Sequence, residues 1–178
     1  MKIARYWAMP GKNTFSIKPI TEFVDKYCQN RFITVDPFAR DFTKPTYTND
    51  LNPETLAEYH MKAIDFLKMI NDKGIKADLV FFDPPYSLRQ VKECYDNFGI
   101  GVSYEETING YWKAEKNIVS EIVNVGGIVL SFGWNSIGMG LKRGYEIIEV
   151  MLICHGGAHN DTICMAEKKV KEQIELEF

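Results

Sequence analysis

The nine residues Asp78-Leu-Val-Phe-Phe-Asp-Pro-Pro-Tyr86 decide the fold of this chain. After Asp78 the residues up to Phe82 are continuously apolar, which is typical of a strand buried on both faces of a sheet. Two prolines end that strand, because proline has no backbone N–H to donate to a neighbouring strand. The Asp83 carboxylate therefore follows the carboxyl end of a buried strand, which is the edge where open α/β sheets bind ligands.

Alternating strands and helices are predicted on both sides of this stretch. Strands are expected at 31–35, 46–49, 61–64, 128–132, 145–154 and 161–166, and helices at 15–27, 53–59, 66–72 and 103–125. Gly126-Gly127 is expected to end the last helix, and Gly156-Gly157 to reverse the chain between the last two strands. This order predicts a doubly wound, mostly parallel α/β sheet that ends in an antiparallel hairpin.

Composition limits the class of protein. The chain has 178 residues, of which 46% are hydrophobic and 25% are charged, so we expect one domain over residues 1–178. No apolar run reaches the roughly 18 residues of a membrane span, and no secretory leader is expected at the start. The four scattered cysteines, Cys28, Cys94, Cys154 and Cys164, are expected to be reduced thiols in a cytoplasmic protein. The net charge of −3 excludes a strongly basic nucleic-acid coat protein.

Asp83-Pro84-Pro85-Tyr86 carries the chemical signal. Average residue frequencies give this tetrapeptide on the order of once in a thousand chains of this length. The alternative is that the prolines only end the strand and Tyr86 packs in the core. The tetrapeptide resembles the motif of amino-methyltransferases, especially the adenine-N6 DNA methyltransferases that use S-adenosylmethionine. The resemblance covers about residues 12–168 and implies a Rossmann-like class I fold without a separate target-recognition domain.

The resemblance gives each residue of the tetrapeptide a role that chemistry supports. An exocyclic amine on a purine is a poor nucleophile, because its lone pair is delocalised into the ring. The Asp83 carboxylate and the Pro84 carbonyl are expected to accept its two N–H groups and direct the lone pair at the methyl group. Pro85 is expected to stiffen the loop, and the Tyr86 ring to stack on a base turned out of its helix.

The resemblance also implies that several segments bind the cofactor, S-adenosylmethionine. Asp50 matches the acid on the ribose hydroxyls, although Asp50 and Asn52 could instead only cap the next helix. Asp65 matches the acceptor for the adenine amine, and a helix cap is the equal alternative. The expected cofactor-binding residues are Asn13, Thr14, Phe15, Asp36, Pro37, Phe38, Ala39, Asp50, Leu51, Asp65 and Phe66.

The segment that begins at Asp36 departs from the family pattern. Arg40 and Phe42 stand where the family usually has glycines. The distance from Asp36 to Asp50 is also short, since a parallel crossover needs a dozen or more residues. We therefore expect the first crossover helix to be reduced to a turn or loop near Pro45.

Three weaker signals complete the candidate residues. Arg89, Lys92, Lys142 and Arg143 are candidate phosphate contacts, each with an ordinary solvated face as its alternative. Trp134 either plugs the core or faces the site, and the core position is favoured. His155 and His159 lack a recognised metal spacing, so no metal site is expected.

The expected function is methylation of the N6 amine of adenine in DNA. Two rivals stay open: a methyltransferase for an exocyclic amine in RNA, and a non-catalytic module with a methyltransferase-like fold. With no room for a recognition domain, specificity should be loose, carried by residues 87–103, or supplied by a protein partner or a homodimer. No membrane partner is expected.

Overall fold

A computed structural model of the chain describes residues 1–11, 13–87, 89–90 and 112–172. Within these ranges the strands are β1 (Lys2–Trp7), β2 (Thr34–Asp36), β3 (Tyr47–Thr48), β4 (Ala77–Phe82), β5 (Val123–Gly133), β6 (Tyr145–Cys154) and β7 (Thr162–Lys169). The described α-helices are α1 (Lys18–Cys28), α2 (Ala63–Asp72) and α3 (Lys113–Ile122). Short 3-10 turns lie at Thr14–Ser16 and Leu141–Arg143.

The strands form one sheet in the order β1-β6-β7-β5-β4-β2-β3. β3, β2, β4 and β5 run parallel, β7 runs antiparallel to β5 and β6, and β1 pairs in parallel with β6. The predicted α/β sheet with its closing hairpin is thus confirmed. The carboxyl ends of β1 to β6 all lie at one edge, and only β7 runs the other way.

Helices cover both faces of the sheet. α1 packs on one face through Ile20, Phe23 and Val24, which meet a core that includes Phe81 and Leu130. α2 and α3 pack on the other face, over side chains from β4 and β5. Because β4 contributes buried residues to both faces, its continuous apolar sequence is explained.

Residues 51–60 differ from the prediction. They form turns instead of a helix, and 61–64 is no strand, because α2 already begins at Ala63. The Asp50 side chain accepts the Asn52 N–H (2.8 Å) and the Asn52 side chain accepts the Glu54 N–H (2.9 Å). Short polar side chains that bind nearby backbone N–H groups favour turns over helix, which is why the predicted helix does not form.

The predicted helix 103–125 ends earlier than expected. α3 stops at Ile122 and β5 begins at Val123, so the strand runs through Gly126-Gly127 instead of starting after it. Gly126 has φ +90° and the pairing of β4 with β5 shifts register here, which identifies a bulge. Residues 103–111 of that prediction lie outside the described residues.

Two shorter differences concern β1 and β2. The predicted strand 31–35 is observed at Thr34–Asp36, while β1 was not predicted. β1 has one neighbour and mostly exposed side chains, so its sequence carries no burial pattern. The segment between β2 and β3 contains no helix, as the short Asp36–Asp50 spacing predicts. In the described part of the chain, no helix has the length and apolar character needed to span a membrane.

Candidate active site

A cleft of about 680 Å³ opens at the carboxyl ends of β2, β3 and β4. Its walls come from the loops that follow these strands and from the start of α2. Asp83, Pro84, Pro85 and Tyr86 all line it, so the tetrapeptide lies where the sequence placed it. The remaining lining residues are Thr14, Pro37, Phe38, Arg40, Asp41, Asn49, Asp50, Leu51, Asn52, Glu54, Thr55, Met61, Lys62, Ala63, Gln90 and Trp112.

Asp83 and Tyr86 form a hydrogen-bonded pair in this cleft. The Tyr86 hydroxyl donates to Asp83 Oδ1 at 2.5 Å, and the Tyr86 backbone N–H donates to Gln90 Oε1 at 2.7 Å. Burial raises the pKa of the Asp83 carboxyl, although the bonds from Tyr86 and Thr14 and the charge of Arg40 act in the opposite direction. The Tyr86 hydroxyl thus holds the carboxylate in place, a role that the tetrapeptide alone does not show.

Asp36 is fully buried and does not line the cleft, although the next residue, Pro37, does. Its Oδ1 accepts the Phe38 N–H at 2.9 Å, whereas Oδ2 has no hydrogen-bond partner among the described residues. Burial holds the pKa of Asp36 well above its usual range, and the charges of Asp83 and Asp50 raise it further. A buried oxygen without a donor costs about 1–3 kcal/mol. The raised pKa favours the neutral carboxyl group, which avoids burying an unpaired charge.

Asp50 both stabilises a turn and lines the cleft. Its Oδ1 accepts the Asn52 N–H, and its Oδ2 accepts the Arg40 N–H at 3.1 Å. It therefore closes a turn, not the helix that was expected, and it also lines the cleft. Each carboxylate oxygen keeps a further lone pair for a ligand. The role of Asp50 toward ribose hydroxyls stays a prediction.

Asn49 is the residue that sequence analysis missed. Its buried side chain donates from Nδ2 to Pro37 O (3.1 Å) and Met61 O (3.0 Å), and Oδ1 accepts the Met61 N–H (3.1 Å). One amide thus ties the loops after β2 and β3 to the start of α2. The available signal was a polar amide at the end of the predicted strand 46–49.

The other expected cofactor residues are divided between cleft and core. Thr14, Pro37, Phe38 and Leu51 line the cleft. Asn13 caps the first 3-10 turn. Phe15 and Ala39 are buried and do not line the cleft. Phe66 is buried in the core against Tyr59, with ring centroids 5.6 Å apart, and Asp65 lies in the first turn of α2. Neither Asp65 nor Phe66 lines the cleft, although Met61, Lys62 and Ala63 just before them do.

Of the expected phosphate contacts, Lys142 and Arg143 lie away from the cleft. Lys142 and Arg143 precede the amino end of β6, at the opposite edge of the sheet, and Arg143 donates to Asn117 Oδ1 and Met139 O, both at 2.9 Å. Arg89 is exposed, next to the cleft residue Gln90. Lys92, and residues 88 and 91–103 of the expected specificity segment, lie outside the described residues.

Two further expectations can be compared with the structure. Trp134 does not plug the core: its side chain is 39% exposed, and its ring meets the Tyr86 ring edge-on at 5.6 Å. His155 is buried and bonds through its ring nitrogens to Ala8 O (2.7 Å) and Thr162 Oγ1 (2.9 Å), which joins β6 to β7 and to the end of β1. Within the described ranges, no group of three His, Cys, Asp or Glu side chains could hold a metal ion.

Comparisons with known proteins bear on the fold. No protein-family model and no curated protein matches the sequence. Among solved structures, SMU.776, a proposed methyltransferase complexed with SAH, is 10% identical with a TM-score of 0.52, covering 78% of this chain and 45% of that chain. TrmN from Thermus thermophilus is 13% identical with a TM-score of 0.55, covering 86% and 49%. The proposed methyltransferase yhhF from Escherichia coli is 9% identical with a TM-score of 0.53, covering 92% of each chain.

These likenesses define the class of fold. The chain spans about half the length of SMU.776 and TrmN and nearly the whole of yhhF. The sheet with its antiparallel hairpin is the Rossmann-like fold of these structures. At such low identity the match shows the fold alone.

Proposed function

We propose that this protein is an S-adenosylmethionine-dependent methyltransferase that acts on the exocyclic N6 amine of adenine in DNA. The observation that carries the proposal is the placement of Asp83 and Pro84 in the wall of the cleft. A relative in fold, SMU.776, is described in complex with SAH, which supports the choice of cofactor.

The cleft suits this cofactor in size and charge. Its volume of about 680 Å³ falls within the roughly 300–1,000 Å³ of ordinary ligand pockets. Three acids, Asp36, Asp50 and Asp83, are close enough that the charges of the other two raise the pKa of Asp36. Asp50 and Asp83 line the cleft, and they match a ligand with a sulfonium, an ammonium group and a ribose diol. When bound, S-adenosylmethionine supplies an electrophilic methyl group.

The residues of the tetrapeptide have separate roles in binding the amine and the base. The Asp83 carboxylate and the Pro84 carbonyl accept the two amine N–H groups and so orient the nitrogen lone pair. Tyr86 fixes the Asp83 carboxylate through its hydroxyl and offers a ring face to the base. The raised pKa of Asp83 makes it a better acceptor than an ordinary aspartate for the proton that the amine loses.

Arg40 and Phe42 replace glycines of the family pattern, and they are the reason for the alternative that this protein is a non-catalytic module. The structure shows how the chain accommodates both residues. Arg40 adopts the left-handed conformation, with φ +50°, which is typical of the glycine it replaces. Phe42 packs on Phe15 with ring centroids 4.5 Å apart. Phe42 therefore does not line the cleft, whereas Arg40 does.

The proposal is tested by incubating the protein with methyl-labelled S-adenosylmethionine and four substrates: DNA with adenine, DNA without adenine, and the matching pair of RNAs. We expect label in the adenine-containing DNA, recovered as N6-methyladenine. Label confined to RNA would favour the RNA rival. Absence of both transfer and SAH binding by calorimetry would favour the non-catalytic module.

A further inference from the structure

The loop after β5 carries exposed apolar side chains next to the tetrapeptide. Trp134 and Ile137 are 39% and 63% exposed, and residues 134–137 are all exposed. The loop begins at the carboxyl end of β5, the same sheet edge as Asp83. Large apolar side chains exposed at a site edge indicate a binding surface.

This loop is held rigidly from below. The buried carboxylate of Glu167 accepts the backbone N–H groups of Met139 (2.7 Å) and Gly140 (3.1 Å). Gly138 has φ +53°, and a Cβ at this position would collide with the Glu167 carboxylate. The Asn135 side chain accepts the Ile137 N–H at 3.1 Å. Trp134 therefore immediately precedes a turn that these contacts hold in place.

Trp134 and Tyr86 together border the space above the tetrapeptide. Their rings meet edge-on, with centroids 5.6 Å apart and planes at 67°. A recess of about 50 Å³ lies between the Trp134 loop and the tetrapeptide, and it shares Pro84, Pro85 and Tyr86 with the large cleft. A water molecule takes about 30 Å³, so the recess is too small for a base. Asp83 lines the large cleft and Trp134 lines the recess, so a base bound at Asp83 would meet Trp134 across the residues that the two spaces share.

We propose that Trp134 is a substrate-binding residue that packs against the base carrying the target amine, beside Tyr86, in a nucleic-acid strand with that base unstacked. This inference rests on the proposed function and adds a second aromatic contact to it. An unstacked base loses its neighbours in the helix, and aromatic side chains restore part of that loss. Because the two rings stand at 67° to each other, one can stack on the face of the base while the other contacts its edge.

The test compares Trp134→Ala and Trp134→Phe with Trp7→Ala, a matched loss of an exposed tryptophan. Trp7 is 69% exposed at the end of β1, three strands away from β5. Each variant is assayed for the KM of an adenine-containing oligonucleotide, for kcat, for SAH affinity by calorimetry, and for oligonucleotide binding by fluorescence anisotropy.

We expect Trp134→Ala to raise the KM for the oligonucleotide and weaken its binding by about 5- to 150-fold, the range that one aromatic–base stack provides. SAH affinity should not change, Trp134→Phe should restore most of the loss, and Trp7→Ala should match the wild type. Equal effects of Trp134→Ala and Trp7→Ala, or a change below twofold, would overturn the inference. If the wild type transfers no methyl group yet binds the oligonucleotide through Trp134, the proposed function fails and the contact stands.

Discussion

Removing the Tyr86 hydroxyl should move the acid limb of the pH–rate profile without abolishing activity. In the cleft this hydroxyl donates to Asp83 Oδ1, and so stabilises the ionised carboxylate that must accept the amine N–H groups. A hydrogen bond to a charged group contributes about 1.5–3 kcal/mol, and one pKa unit corresponds to about 1.36 kcal/mol. Tyr86→Phe should therefore raise the pKa of Asp83, and shift the acid limb upward, by about 1 to 2 pH units.

The assay is kcat/KM for methyl transfer to an adenine-containing oligonucleotide between pH 5 and 9. Above the shifted limb Tyr86→Phe should approach the wild-type rate, because the ring still contacts the base, whereas Tyr86→Ala should stay low at every pH. Tyr27→Phe is the matched control, since the Tyr27 hydroxyl donates to Glu149 (2.8 Å) and Tyr27 does not line the cleft. A Tyr86→Phe profile with an unmoved acid limb, or with equal loss at all pH values, would refute this reasoning.

Three further predictions concern Asn49 in the cleft wall and two buried residues outside it, Asp36 and Gly138. Asn49→Ala should lower the free energy of unfolding by about 3 kcal/mol in urea and weaken SAH binding, because it leaves buried backbone groups without partners; Asn71→Ala, at an exposed bond to Glu121, should cost far less. Because the folded-state pKa of Asp36 is raised, the wild type should lose stability as the pH rises through that pKa, and urea unfolding of Asp36→Asn should show less of this loss. Gly138→Ala should lower the melting temperature, because its Cβ would meet Glu167.

The elements predicted correctly are those in which the pattern of apolar residues reflects burial. β4 and the β6–β7 hairpin are rich in buried apolar residues, and α1 shows helical spacing with a proline in its first turn. β1 was missed because an exposed edge strand has no pattern of buried apolar residues. The turns of 51–60 were mistaken for a helix because side-chain bonds from Asp50 and Asn52 compete with helical ones.

The position of the candidate site could be predicted from the sequence, but the contacts between its residues could not. Asp83 and its neighbours follow a buried strand, so their position at the sheet edge came from the sequence pattern. The bond between Tyr86 and Asp83, the Asn49 tie and the exposure of Trp134 depend on how separate loops meet. Periodicity along the chain contains no information about such tertiary contacts.

The central claim is that the Asp83 carboxylate accepts a hydrogen bond from the amine that receives the methyl group. Its most direct test is the amount of N6-methyladenine, measured by mass spectrometry, in DNA incubated with S-adenosylmethionine and either the wild type, Asp83→Ala, or the exposed control Asp72→Ala. We predict N6-methyladenine with the wild type and with Asp72→Ala, and none with Asp83→Ala although that variant still binds SAH. Equal methylation by Asp83→Ala and the wild type, or none by any of the three proteins, would contradict the claim.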